Sequence, residues 1–196
     1  MNQVDFENSA AICNVLSCML LNTPTENMYQ RINDEIILNW PQLITPTEDI
    51  CDEMKRSLNK HSFTELRNDF NQLFVGPGVK SAYPWGSVYT DKDNLVCGQS
   101  CVEFEQFCKR NKIDVTPPQK GPSDHIGLIL AVLANLLSEN RSDLASMLIC
   151  DHLKPWLPQF IRCVDTHSQT EFYRGVGLLI GITLNDLQIK LQTENS

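Results

Sequence analysis

Residues 62–89, SFTELRNDFNQLFVGPGVKSAYPWGSVY, carry the case for the fold. Ser62-Phe63-Thr64-Glu65 is a capping box, in which a serine hydroxyl and a glutamate three residues on satisfy the orphan N–H groups of a helix start. The helix it opens places Phe70, Leu73 and Phe74 at spacings of three and four, one apolar face. Gly76, Pro77 and Gly78 then stop it, because glycine supplies positive φ and proline cannot continue the hydrogen-bond ladder. A long connection follows, holding Tyr83, Trp85 and Tyr89 and fixed in part by Pro84. A connection of this length inside a compact domain is usually functional or disordered, and its aromatic content argues against disorder.

Working outward, the same kind of start signal recurs. Thr23-Pro24-Thr25-Glu26, Thr45-Pro46-Thr47-Glu48 and Ser168-Gln169-Thr170-Glu171 all read as capping boxes, the first with proline at the first helical position. Residues 5–21 form a first helix with Phe6, Ala10, Cys13, Leu16 and Leu20 on one side. The second runs through Tyr29, Ile32 and Ile36 and ends by Trp40, before Pro41. Ile50, Met54 and Leu58 mark the next. Beyond the aromatic loop, helices are expected at 99–111, from Ser123 or Asp124 to Leu137, from Ser142 to Leu153, around Phe160 to Val164, and from Phe172 to Leu191. No segment alternates with period two for long. The expectation is an all-α chain of eight to ten helices, one domain over 1–196, without internal repeats.

Composition excludes several classes. At 196 residues the chain can bury about 70% of its unfolded surface without staples. A formal net charge of −8 disfavours nucleic acid, whose phosphates need a basic face. The most apolar run, Ile126 to Leu137, would span roughly 18 Å as a helix against about 30 Å of hydrocarbon, so no membrane insertion is expected. MNQVDFENSA lacks the basic start of a secretory signal, which points to a cytoplasmic location and to reduced thiols for the eight cysteines. Cys97, Cys101, Phe104 and Cys108 fall on one helical stripe. Small apolar core residues is the better reading of that stripe, with metal ligation the alternative.

Chemistry is concentrated in two places, the aromatic loop and Gly121-Pro122-Ser123-Asp124-His125. No nucleophile elbow, P-loop or His-Glu-x-x-His is present, and no phosphate-cradling glycine loop is visible. A carboxylate at Asp124 suits the positive end of a helix. His125 suits it only when neutral, making one hydrogen bond. A catalytic Asp–His pair also needs a nucleophile, and Ser87 and Cys97 are the nearest candidates in sequence.

Three elements together carry a resemblance: Phe70-x-x-Leu73-Phe74-x-Gly76-Pro77, Tyr83-Pro84-Trp85-Gly86-Ser87-Val88-Tyr89 and Pro122-x-Asp124-His125-x-Gly127. With Asp151-His152-Leu153, Pro155-Trp156 and Phe172-Tyr173-Arg174, they closely resemble the TorD/DmsD family, cytoplasmic chaperones of molybdenum-cofactor oxidoreductases. The likeness runs from about residue 60 onward, while the first 60 residues match only in helical character. Pro84 to Val88 and Gly98-Gln99-Ser100 are most similar to the branch that serves the catalytic subunit of dimethyl sulfoxide reductase. The resemblance implies an all-helical fold and no catalytic activity; no cofactor is expected from the residues, which show no phosphate-cradling glycine loop. It implies binding of the twin-arginine leader of an apo catalytic subunit, held back from export until its cofactor is loaded, with components of the Tat translocon as further partners. The family's leader-binding positions correspond to Leu73, Phe74, Trp85, Ser87, Tyr89, Pro122, Asp124 and His125. One departure stands out. Where the family commonly has an acidic residue before Pro-x-Asp-His, this chain has Gly121, so Asp124 acts alone or with Asp91, Asp93 or Glu103.

The physics of such a leader fits those residue types. Two guanidinium groups followed by an apolar run need a greasy cleft with carboxylate at one end, and a carboxylate takes arginine bidentately where a lysine cannot match it. Trp85, Tyr89, Phe74 and Leu73 are expected to line the cleft and Asp124 to meet the arginines. Two other readings are distinct in class: a thiol- or metal-dependent enzyme using Cys97, Cys101, Cys108 and His125, and an assembly factor that grips only the folded client.

Overall fold

In the computed structural model, residues 3–76, 78–92, 96–115 and 121–194 are described, the side chains of 3–5 and 194 excepted. Among them are ten α-helices and no named strand. They are α1 (Gln3–Leu21), α2 (Glu26–Arg31), α3 (Glu48–Lys60), α4 (Phe63–Phe70), α5 (Ser87–Thr90), α6 (Gln99–Arg110), α7 (Ile126–Ser138), α8 (Ser142–Met147), α9 (Leu157–His167) and α10 (Glu171–Glu194). Three end in a wider, π-helical turn: α2 at Ile32–Ile36, α4 at Asn71–Val75 and α8 at Leu148–Leu153. No helix among the described residues is long and apolar enough to cross a membrane.

The core forms around α7, whose residues from Ile126 to Leu137 are buried on nearly every side. Burying one such leucine or isoleucine stabilises by about 1.5–3 kcal/mol, which explains why a helix apolar all the way round lies at the centre. Its main neighbour is α1, which buries Ile12, Cys13, Leu16, Met19 and Leu20. The two approach closely at Gly127, where a Cβ would lie 2.7 Å from Leu21 Cγ and 3.2 Å from the Ser17 carbonyl. The Ser17 hydroxyl donates to the Gly127 carbonyl there at 2.7 Å. Burial pushes the Cys13 thiol up to about 12, so it is an inert core residue.

Two buried carboxylates tie distant segments to α10. Asp69 on α4 accepts from Gln169 N–H at 3.0 Å, Thr170 N–H at 2.8 Å and the Thr170 hydroxyl at 2.6 Å. Asp186 on α10 accepts from Thr45 N–H at 2.7 Å and the Thr45 hydroxyl at 2.8 Å. Tyr29 and Tyr173 share a buried hydroxyl–hydroxyl bond of 2.6 Å.

Helix starts differ in detail from the sequence expectation. Ser62 and Glu65 form the full capping box. In the two Thr-Pro-Thr-Glu stretches, however, the second threonine precedes the helix and the glutamate is its first residue. Thr25 accepts from Met28 N–H, Thr47 makes no side-chain cap bond, and Thr45 is drawn away by Asp186.

Candidate functional site

The π turn that ends α4 sets the position of the aromatic loop. Gly76 N–H donates to the Asn71 carbonyl at 2.6 Å, closing the wide turn. The carbonyls of Gln72 and Leu73 then have no helical partner, and they accept from Ser81 N–H at 3.1 Å and Ala82 N–H at 3.0 Å. The loop therefore folds back over the helix end. Leu73 and Phe74 point the other way, 0% and 2% exposed, with Phe74 against Phe70, Phe160 and Tyr173. They support the loop from the core and do not line an open cleft, a correction to the sequence expectation.

The two candidate segments meet. Trp85 and His125 form an isolated antiparallel bridge, with Ile126 N–H donating to the Pro84 carbonyl at 2.8 Å and Gly86 N–H to the Asp124 carbonyl at 3.2 Å. The Trp85 indole and His125 imidazole lie edge to face at 5.7 Å. Pro122, partly exposed, leads into this bridge.

His125 itself caps α7, its Nδ1 accepting Gly127 N–H at 3.0 Å, in place of the expected Ser123 or Asp124. Burial lowers the imidazole from 6.5 to about 4, so it is neutral at ordinary pH, as its place at a positive helix end requires.

Asp124 is 1% exposed. One carboxylate oxygen, Oδ2, accepts from Ser87 N–H at 2.6 Å and from the Ser100 hydroxyl at 2.8 Å. The other, Oδ1, is buried without a hydrogen-bond partner among the described residues, and so is the Ser87 hydroxyl. The charge expected at an open mouth is therefore covered, with the start of α6 over it. Such half-satisfied buried groups are uncommon and call for a reason.

Around this centre the aromatics divide. Tyr89 braces the loop: its hydroxyl donates to the Tyr83 carbonyl at 2.9 Å and its ring stacks on Trp156 at 5.9 Å, 6° from parallel. Burial holds its phenol well above the usual range. Trp85 is half-buried, and the Lys80 ammonium lies 5.8 Å from its ring centre and 5.3 Å from that of Tyr83. The loop thus already presents aromatic faces to a cation. Gly86 lies against the edge of the Trp156 indole, and a Cβ there would fall 2.6 Å from Nε1 and 2.7 Å from Cε2. The indole is held by its bond to the His152 carbonyl at 2.7 Å and cannot swing away freely. Gly86→Ala is expected to lower stability by about 1–3 kcal/mol in urea unfolding.

Sequence reasoning missed Ser100, Lys80 and the Ser123–Glu105 bond of 2.8 Å that ties the 121–125 segment to α6. Of the further acidic candidates, Glu103 accepts from Gln99 at 2.9 Å, Asp91 packs against Gly98, and Asp93 lies outside the described residues. The cysteine stripe is real for Cys101, Phe104 and Cys108, all buried. Cys97 departs from it: it precedes the helix, is exposed and has a left-handed φ of +67°. Among the described residues no three His, Cys, Asp or Glu side chains are grouped to hold a metal.

Comparison with known proteins places this arrangement in context. A Tat proofreading chaperone DmsD from Salmonella typhi is 30% identical over 160 residues, 82% of this chain and 76% of that protein. The chaperone protein TorD of Actinobacillus succinogenes is 32% identical over 120 residues, 61% of each. A crystal structure of an Archaeoglobus fulgidus protein assigned to redox enzyme maturation shares the fold, with a TM-score of 0.57 over 95% of this chain and 93% of that one at 14% identity. The sequence profile of the nitrate reductase delta subunit family matches residues 41–162, and with these relatives the chain belongs to that family, the one that includes the TorD and DmsD chaperones.

Proposed function

We propose that the protein is a non-enzymatic chaperone that binds the twin-arginine leader of a redox enzyme's catalytic subunit in the cytoplasm and holds it until the molybdenum cofactor is loaded. A dimethyl sulfoxide reductase is the favoured client, because Pro84 to Val88 and Gly98 to Ser100 are most similar to that branch. The observation that carries the reading is Oδ1 of Asp124, a buried carboxylate oxygen in the segment bridged to Trp85 that meets no hydrogen-bond donor or cation among the described residues. A guanidinium that displaced the Ser100 hydroxyl would meet that carboxylate in bidentate fashion. Trp85 and Tyr83, where Lys80 now rests, give the second arginine an aromatic face. Val75 and Val79, 52% and 92% exposed beside the loop, offer contact to the apolar part of the leader. Pro122, Ser87, Tyr89, Leu73 and Phe74 act by holding these groups in place. A chaperone must release its client, so a Kd on the order of 1 μM suits it better than a picomolar one.

The test is calorimetric titration with a twin-arginine leader peptide and with its Lys-Lys counterpart. The lysine peptide is expected to bind about tenfold or more weakly, since a charge-assisted bond is worth about 1.5–3 kcal/mol. Trp85→Ala should weaken the arginine peptide while leaving the melting temperature nearly unchanged. Equal affinity for both peptides would remove arginine recognition, and no binding to any such leader would remove the function.

A further inference from the structure

The cation that covers the aromatic loop belongs to the chain itself. Lys80 is half-buried, and its ammonium lies 5.3 Å from the ring centre of Tyr83 and 5.8 Å from that of Trp85. It also donates to the Gly76 carbonyl at 3.5 Å, the long end of such bonds. Among the described residues no carboxylate pairs with it, so two aromatic faces and one carbonyl hold the charge. The backbone delivers Lys80 to this place. Gly78 turns the chain with a φ of +93°, and the two residues after Lys80 are pinned to the helix end, Ser81 N–H on the Gln72 carbonyl and Ala82 N–H on the Leu73 carbonyl. The receiving side is braced too. The Tyr89 hydroxyl bonds the Tyr83 carbonyl, and the Trp85 indole sits edge to face with His125.

We propose that Lys80 is a built-in competitor: it occupies the faces of Tyr83 and Trp85 when no client is bound, and a client arginine has to displace it. The proposal rests on the leader-binding reading, since it names what the leader displaces. A side chain tethered this close to both rings competes as an intramolecular partner, at a high effective concentration. An incoming guanidinium gains its own contact with the rings and loses what Lys80 had, so only the difference appears as affinity. Arginine wins the exchange because its flat guanidinium stacks on an aromatic face and is more weakly hydrated than an ammonium. When the leader leaves, the ammonium covers the rings again. Lys80 thereby holds affinity in the range from which a client can be released.

Displacing Lys80 costs the same whichever cation arrives. Its removal therefore raises affinity for an Arg-Arg leader and for the Lys-Lys counterpart by one common factor and leaves their ratio alone. Lys80→Arg strengthens the cover and weakens both. Simple repulsion between Lys80 and the leader predicts a different pattern, because arginine at this position keeps the charge and would change nothing.

The experiment has two arms on the full chain. In the first, reductive methylation with labelled formaldehyde gives each lysine a methyl reporter and keeps its charge. The Lys80 signal, identified by its absence in Lys80→Arg, should be shifted upfield by the ring currents and should return to the position of the other lysines in Trp85→Ala. A Lys80 signal already at that position in the parent overturns the cover, and this arm needs no leader. In the second arm a twin-arginine leader peptide is added. At saturation the Lys80 signal should move to the unshifted position. By calorimetry Lys80→Ala should bind both leader peptides about three- to tenfold more tightly than the parent, and Lys80→Arg more weakly. A leader that binds while the Lys80 signal stays shifted, or binds Lys80→Ala no more tightly than the parent, overturns the competitor with the leader reading intact. A leader that binds neither parent nor variant overturns the leader reading, and the competitor with it.

Discussion

Acidification from about pH 7.5 to about pH 4 is expected to remove about 3 kcal/mol of folding stability, with His125 as the main source. In the unfolded chain the imidazole titrates near its ordinary value of 6.5, whereas burial holds it at about 4 in the native state. Between those values the unfolded chain binds the proton and the folded one does not. Stability therefore falls as pH drops through this window, by up to about 1.4 kcal/mol per unit, and levels off below it. The local geometry agrees with the sign. Nδ1 accepts Gly127 N–H at the start of α7, so a proton on Nδ1 would set two donors against each other at the positive end of the helix. His152, also lowered by burial, adds to the loss with the same sign. Glu171 does not share the window. Its carboxyl is held down to about 2, first by its backbone hydrogen bond, and loses its contribution only as pH falls below the usual carboxylate range. Urea unfolding at several pH values checks this, with His125→Asn as the control, because asparagine caps a helix without titrating. A slope between about pH 6.5 and 4 that survives unchanged in that variant would assign the effect elsewhere.

The helical class was legible because it rests on local rules. Ser62 and Glu65 form their box as read, and the run from Ile126 is apolar all round because it is the centre of the core. The misplaced details share a cause: a distant partner, or a local break that periodicity does not register. Thr45 reads as a helix cap until Asp186, 141 residues away, claims its hydroxyl. Cys97 completes an i, i+4 stripe on paper, but Gly98 ends the helix first and turns it out to solvent. Leu73 and Phe74 were legible as apolar; that the π turn aims them into the core, away from the loop, was not. The meeting of 84–86 with 124–126 depends on backbone hydrogen bonds, which no side-chain pattern encodes, and the resemblance alone hinted at it. The exposure of Asp124 was the main miss. Its cover, Ser100, is an ordinary serine whose importance comes only from where α6 begins.

Two substitutions at Asp124 should separate its structural from its recognition role. Asp124→Ala removes the acceptor for the buried Ser87 N–H and for the Ser100 hydroxyl. A buried donor left unsatisfied costs about 1–3 kcal/mol, so the variant is expected to lose about 2–4 kcal/mol in total and to release the start of α6. Asp124→Asn keeps one carbonyl oxygen for both donors. Its amide takes the place of Oδ1, which has no hydrogen-bond partner among the described residues. Replacing a buried carboxylate that meets no cation among the described residues offsets any weakening of the two retained bonds, so the asparagine variant should fold within about 1 kcal/mol of the parent. Its affinity for a twin-arginine leader should nonetheless fall by about tenfold to a hundredfold, because the guanidinium loses its charged, bidentate partner. Thermal unfolding and calorimetry on the same samples read the two effects independently. If Asp124→Asn binds the leader as tightly as the parent, the carboxylate is a staple between the aromatic loop and α6 and nothing more, and the arginine must be met by another group.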